Sequence, residues 1–209
     1  MASRRPAASR AVARRVAELT ALNVQLRVEL KQVKPLVWRR ILVPAKITLP
    51  KLHVALQWAM GWTNSHLHEY EIARQRYGTP EDFDDEPPLD ERRVRLKPLI
   101  DTGLRRFIYL YDFGDHWEHV VTVEDLAMPK TGAPAVVCTA GENACPPEDV
   151  GSSGGYTEFL EIINDPAHED HASMLRWAGG PVRPDCVRPG RSQRAPRSNQ
   201  GVTVKTASA

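Results

Sequence analysis

Between Val24 and Leu30 every second residue is apolar: Val24, Leu26, Val28 and Leu30 alternate with Gln25, Arg27 and Glu29. A period of two puts the four apolar side chains on one side of an extended strand, so the chain must build a sheet with a buried face. Pro35 interrupts the run, and Val37 to Val43 (VWRRILV) reads as a second extended segment. Thr48 then stands as the N-cap of a helix over Pro50 to Met60, with Leu49, Leu52, Leu56, Ala59 and Met60 as its apolar stripe and Gly61 as its C-cap.

His66 to Ile72 (HLHEYEI) reads as a strand that shows His66, His68, Tyr70 and Ile72 on one face. Thr79 to Glu91 is acidic and Pro-bearing, hence a loop. Phe107–Tyr111 and Trp117–Val123 form a hairpin around the turn DFGDH, with Gly114 expected in a left-handed conformation. On its second arm Trp117, His119, Val121 and Val123 share a face. Cys138 to Gly155, dense in Gly and Pro, is expected to be irregular, and Tyr156–Asn164 and His168–Trp177 read as short helices stopped at Gly179-Gly180.

This order predicts an α+β fold. The expectation is a single domain over residues 24–180 with a mixed, largely antiparallel sheet of five or six strands. One helix follows the first strands and two lie at the C-terminal end. A hydrophobic content of 42% supports such a core. No apolar run approaches the roughly 18 residues that suggest a membrane span, and the Arg-rich start lacks the apolar stretch of a secretory signal. Three cysteines (Cys138, Cys145 and Cys186) make no disulfide framework, which points to a reduced, cytoplasmic setting.

The net charge of +2 conceals an uneven distribution. Residues 31–181 hold 16 Lys and Arg against 23 Asp and Glu, an acidic body between two basic ends. Residues 1–23 read as a basic extension with a short helix from Arg10 to Leu22, and 181–209 as a disordered basic tail.

Four strings in order resemble the plasmid pRiA4b ORF-3-like family, carried by plasmids, by insertion elements as a passenger gene, and by many chromosomes. They are VWRRILVP (37–44), MGWTNSHLHEYEI (60–72), YDFGDHWEHVVTVE (111–124) and CTAGENACPPEDVGSSGGY (138–156), and the match runs on through FLEIINDPAHEDH into MLRWAGG. The resemblance implies an α+β fold with a large mixed or antiparallel sheet and no firmly established activity. This chain departs from the pattern at Ser152, where the family places a glycine and a permissive backbone position is lost. It departs again after Pro181: the family continues with F-D-P-x-x-F-D and V-N, whereas Val182 to Arg194 reads VRPDCVRPGRSQR. Those residues can be encoded so that the next frame reads FDPTAFDPGEVN. A frame shift near Pro181 is therefore expected, and with it no evolved function for Cys186.

The candidate metal ligands are His66, His68 and His119. Imidazoles at i and i+2 of one strand can chelate a divalent ion, and a neighbouring strand can add a third. Tyr70, Asp112, Asp115, Trp117, Cys138, Cys145, Glu148 and Asp149 complete the candidate pocket. The competing structural readings are packing of the histidines against Trp117 and Tyr70, a hairpin-turn role for Asp112 and Asp115, and a turn cap at Glu148-Asp149. Cys138 and Cys145 lack the spacing of a zinc knuckle and are expected to be structural.

No P-loop, GxGxxG or G-x-S-x-G string is present, and DFGD lacks the other kinase motifs. Nucleic acid is not expected as the primary partner, because the acidic body repels a polyanion. Against this stand the terminal arginines and the Trp38-Arg39-Arg40 spot. The functional expectation is an accessory or binding module of mobile elements that contacts a protein or small ligand. The alternative is a metal-dependent, hydrolytic enzyme built on His66, His68 and His119, with Asp115 as base or ligand.

Overall fold

A computed structural model describes residues 22–83, 85–127 and 136–179. The expected N-terminal helix, the basic tail, Cys186 and the segment for which a frame shift is expected lie outside the described residues. The strands are β1 (Asn23–Leu30), β2 (Trp38–Pro44), β3 (His68–Ile72), β4 (Gln75–Gly78), β5 (Leu89–Asp90), β6 (Arg106–Tyr111), β7 (Trp117–Ala127) and β8 (Val137–Glu142). The helices are α1 (Leu49–Met60), α2 (Leu96–Asp101), α3 (Ser152–Asn164) and α4 (His171–Trp177). All eight strands join one sheet in the order β5-β4-β3-β6-β7-β1-β2-β8, antiparallel except for β4 with β5.

The α+β, single-sheet expectation holds, but the sheet has eight strands rather than five or six. The two-residue β5 is too short for a periodic signal, and β4 (QRYG) is mostly polar. β8 corrects the irregular reading of Cys138 to Gly155: its backbone pairs with β2 although its sequence, VCTAGE, alternates poorly. The strand begun at His66 starts at His68, and α2 was not anticipated.

Alternation along β1 produces the layer. Val24, Leu26, Val28 and Leu30 are fully buried, and their neighbours across the ladder continue the inner face through Ile41, Val43 and Val121. The pairings Tyr70↔Tyr109↔His119↔Leu30 carry that face across four strands. α1 packs on it through Leu49, Leu52, Leu56 and Met60, a spacing of three and four that makes one helical stripe. Gly61 ends α1 at φ 91°, where a side chain would be strained, and its N–H closes on Gln57 O.

Polar pins fix α1 over the sheet. Tyr70 Oη donates to Leu49 O at 3.0 Å, and Arg39 Nε donates to Ala59 O at 3.0 Å. The outer face is polar: Arg27 and Arg40 sit over Trp38 at 4.2 and 5.4 Å, and Arg40 pairs with Glu124 at 2.6 Å. The basic spot at Trp38 is therefore built into the fold, with Arg39 buried and Arg40 already neutralised. Among the described residues no helix is long and apolar enough to cross a membrane.

Candidate functional site

Three segments distant in sequence meet at one end of the sheet. They are the turn after α1 (Thr63–Leu67), the DFGD turn between β6 and β7, and the loop Cys145–Asp149 before α3. Trp62 ties the first to the third by donating from Nε1 to Pro146 O at 2.9 Å, and its ring stacks on Tyr111 at 4.9 Å. Tyr156 Oη holds the start of the loop through Ala144 O at 2.8 Å. Behind it, Gly155 has no room for a side chain, since a Cβ there would stand 2.0 Å from Val150 O.

His66 Nε2 occupies the meeting point. Asp149 Oδ1 is 3.2 Å away, Glu148 Oε2 3.5 Å and Asp112 Oδ2 3.6 Å, yet this buried nitrogen makes no hydrogen bond. Among the described residues, His66, Asp112 and Asp149 form the group of His, Cys, Asp or Glu whose ligand atoms all lie within 4.8 Å of one another.

Two of the carboxylates are positioned by one oxygen. Asp112 Oδ1 accepts from the Gly114 and Asp115 N–H groups at 2.9 and 3.2 Å, leaving Oδ2 toward His66. Glu148 Oε1 accepts from Thr63 N, Thr63 Oγ1 and Tyr111 Oη at 2.7, 3.1 and 3.1 Å. Tyr111 in turn accepts from Ser65 N at 2.9 Å, and burial pushes its phenol pKa upward, keeping it a donor. Asp112, Asp149 and Asn64 have left-handed backbones at φ 58°, 59° and 60°. Asn and Asp tolerate that conformation best, and such positions cluster at functional sites. The DFGD expectation is corrected here: the left-handed residues are Asp112 and His116, not Gly114.

The three histidines do not form one ligand set. His68, on β3, turns Nε2 to the buried carboxylate of Glu91 at 3.2 and 3.3 Å. His119 is fully buried, with Nδ1 on Tyr109 O at 3.2 Å and Nε2 without a partner, and burial lowers its pKa to about 4. His66 leaves the shared face because it precedes the strand. Asp115 accepts from Gly151 N at 3.1 Å, and Tyr70 and Trp117 belong to the core. Cys138 and Cys145 carry free thiols pushed to higher pKa by burial, outside the metal-type cluster. Of the sequence candidates, the structure thus gathers His66, Asp112, Glu148 and Asp149.

An open depression of about 520 Å³ adjoins the cluster, lined by His53, Asn64, Ser65, His66, Leu67, His68 and Asp82. His53 stacks on His68 and contacts Tyr109 Oη at 2.7 Å and Asn64 Oδ1. Burial first, then the neighbouring His68, lowers the His53 pKa to about 3, so the ring is neutral. Sequence reasoning missed His53, Asn64, Glu91 and Tyr111. His53 lies on the polar-looking flank of the α1 stripe, and Glu91 ends an acidic loop, so neither carried a local signal.

Comparison with known proteins bears on this geometry. The family described as "Plasmid pRiA4b ORF-3-like protein" matches residues 23–190. An uncharacterized protein, y4hQ of Sinorhizobium fredii, is 46% identical over 162 residues, covering 77% of this chain and 83% of that protein. A crystal structure of MM3350 from Methanosarcina mazei Go1, a protein of unknown function, superposes with a TM-score of 0.72 at 33% identity. That similarity covers 80% of this chain and 96% of the other. No catalytic activity is attached to either relative by its description.

Proposed function

Because the chain belongs to the plasmid pRiA4b ORF-3-like family, we propose that it is an accessory binding module whose working centre is a divalent cation held by His66, Asp112, Glu148 and Asp149. The observation that carries this reading is the buried His66 Nε2, free of hydrogen bonds yet within 3.2–3.6 Å of three carboxylate oxygens.

Ligands bound about 2.1 Å from a tetrahedral ion are about 3.4 Å apart, so these separations suit a shared ion with little movement. The gap between the Asp112 and Asp149 carboxylates, within 4.8 Å, closes by rotation of Asp149, whose side chain is 71% exposed, while Glu148 joins the ion from its own position 3.5 Å from His66 Nε2. One imidazole with carboxylates favours Zn²⁺, Mn²⁺ or Fe²⁺ over soft ions. The hydrogen bonds from Tyr111, Thr63, Gly114 and Asp115 supply the outer support that metal carboxylates need.

The plasmid in the family's description supports an accessory role on mobile elements, with a protein or small ligand as partner. The half-buried free thiols fit a cytoplasmic setting. Metal-dependent hydrolysis is the second reading, favoured by the open depression that His66 also lines, which offers room for a substrate on that side of the site. In it Asp115 is the candidate base, its Oδ2 held by Gly151 N at 3.1 Å and its other oxygen left for the reaction.

The test is thermal unfolding of the metal-stripped full chain with Zn²⁺ or Mn²⁺ added. At a hundred times the dissociation constant, binding adds about 2.7 kcal/mol of stability. The native chain should show this rise and His66→Ala should not. An identical response in both would defeat the reading.

A further inference from the structure

Four residues beside the cluster form a closed circuit of hydrogen bonds whose direction is fixed by donor and acceptor chemistry. The Asn64 backbone N–H donates to Gln57 Oε1 at 3.1 Å, which turns Gln57 Nε2 toward Tyr109 Oη at 3.0 Å. Tyr109 Oη is fully buried, and its single proton finds no other acceptor among the described residues, so it donates to His53 Nδ1 at 2.7 Å. His53 is then left with its proton on Nε2, which it donates to Asn64 Oδ1. The circuit returns to the residue where it began.

The consequence lies at Asn64. Its carbonyl oxygen is consumed by His53, so its side-chain NH₂ is the end left over, and no hydrogen bond is made to it among the described residues. Asn64 is exposed and lines the depression with His66. Gln57, Tyr109 and His53 are buried at 3%, 0% and 5% exposure, so three core side chains orient one surface amide. Its left-handed backbone, φ 60°, is one that asparagine adopts more readily than most residues. Such an arrangement fixes a hydrogen-bond donor at the mouth of the depression before any ligand arrives.

We infer that the depression binds a neutral amide, such as a peptide or carboxamide group, with its carbonyl oxygen on Asn64 Nδ2 and beside the cation position at His66. The inference rests on the cation reading for this second anchor. An amide oxygen has two lone pairs, one for the Asn64 donor and one for the ion. Charge argues against an anionic ligand. Asp82 lines the depression, Asp112, Glu148 and Asp149 surround His66, and Glu91 lies behind His68. One divalent ion leaves that neighbourhood negative, so phosphate or carboxylate is repelled whereas an uncharged amide is not.

The experiment uses the full ¹⁵N-labelled chain, metal-free and Zn²⁺-loaded, with the Asn64 side-chain NH₂ signals assigned by their loss in Asn64→Asp. N-acetylglycinamide and inorganic phosphate are titrated in turn. The amide should shift the Asn64 signals saturably, phosphate should leave them in place, and Asn64→Asp should weaken amide binding about tenfold, with a cooperative unfolding transition as the control for folding. Amide shifts in a protein that takes up no Zn²⁺ would uphold the inference for the depression while removing the cation reading. Zn²⁺ uptake with Asn64 signals that ignore the amide, or that follow phosphate equally, would overturn the inference and leave the cation reading standing.

Discussion

The imidazole of His53 lies flat on that of His68, with ring centroids 3.6 Å apart and planes within 7°. Two cationic rings at that distance would repel, and burial decides which gives way: His53 is held neutral with a pKa of about 3. His119, enclosed by the core, is likewise lowered to about 4. Both folded values lie below the unfolded value of about 6.5, so the unfolded chain binds more protons in acid. The stability contributed by these neutral rings is therefore complete above about pH 6.5 and is lost as the pH falls toward 4. From pH 6 to pH 5 the two together should remove about 2 kcal/mol, read from denaturant midpoints at each pH. A flat profile over that unit would show that the rings are not held neutral.

Ser152 adopts φ 63° at the first position of α3. A left-handed backbone costs a non-glycine residue roughly 1 kcal/mol or more, so Ser152→Gly should stabilise the chain by about that amount. For a domain of this size the midpoint should rise by about 2–4 °C. Ser152→Ala should bring no such gain, and an unchanged midpoint in the glycine variant would refute the strain argument.

Gly155 presents the opposite case. A methyl group would meet the Val150 carbonyl oxygen at 2.0 Å, a backbone atom that cannot swing aside. Gly155→Ala should cost about 3 kcal/mol or more through displacement of the segment before α3. Because Glu148 and Asp149 lie on that segment, the variant should also lose affinity for the ion. Thermal unfolding and metal titration on the same sample check both, and native stability in the variant would contradict the packing described.

Tyr111 links the site's loops: it donates to Glu148 at 3.1 Å and accepts from Ser65 N at 2.9 Å and His66 N at 3.3 Å. Tyr111→Phe leaves the ring stack with Trp62 intact and removes only the hydroxyl. Loss of such an outer partner lowers metal affinity by about 10- to 100-fold, with a stability loss of about 1–2 kcal/mol from the amides left unpaired. Calorimetric titration separates the two effects. Affinity equal to the native chain's would show that Tyr111 does not position Glu148.

Much of the fold was legible because its longest elements carry strong periods. β1, the β6–β7 hairpin and the stripe and glycine stop of α1 could be read from spacing alone. β4, β5 and β8 could not, since short strands are specified by what they pair with and not by their own pattern. The site was legible by residue type and hidden in its grouping. His66, Asp112, Glu148 and Asp149 stand out individually, but the alternation that suggests a shared face for His66 and His68 fails because His66 lies two residues before the strand begins. Asp112 faces His66 because its own backbone is left-handed, a conformation the turn motif assigned to Gly114. Glu91 and His53 are ordinary polar residues until tertiary packing buries them.

The central claim is that His66 Nε2 and the surrounding carboxylates share one ion, and elemental analysis after Zn²⁺ or Mn²⁺ loading and gel filtration of the full chain tests it most directly. One equivalent of bound metal per native chain, falling to background in a His66→Ala/Asp112→Asn variant that still melts cooperatively, is the result predicted. No retained metal in the native chain, or the same retained amount in the folded variant, would contradict it.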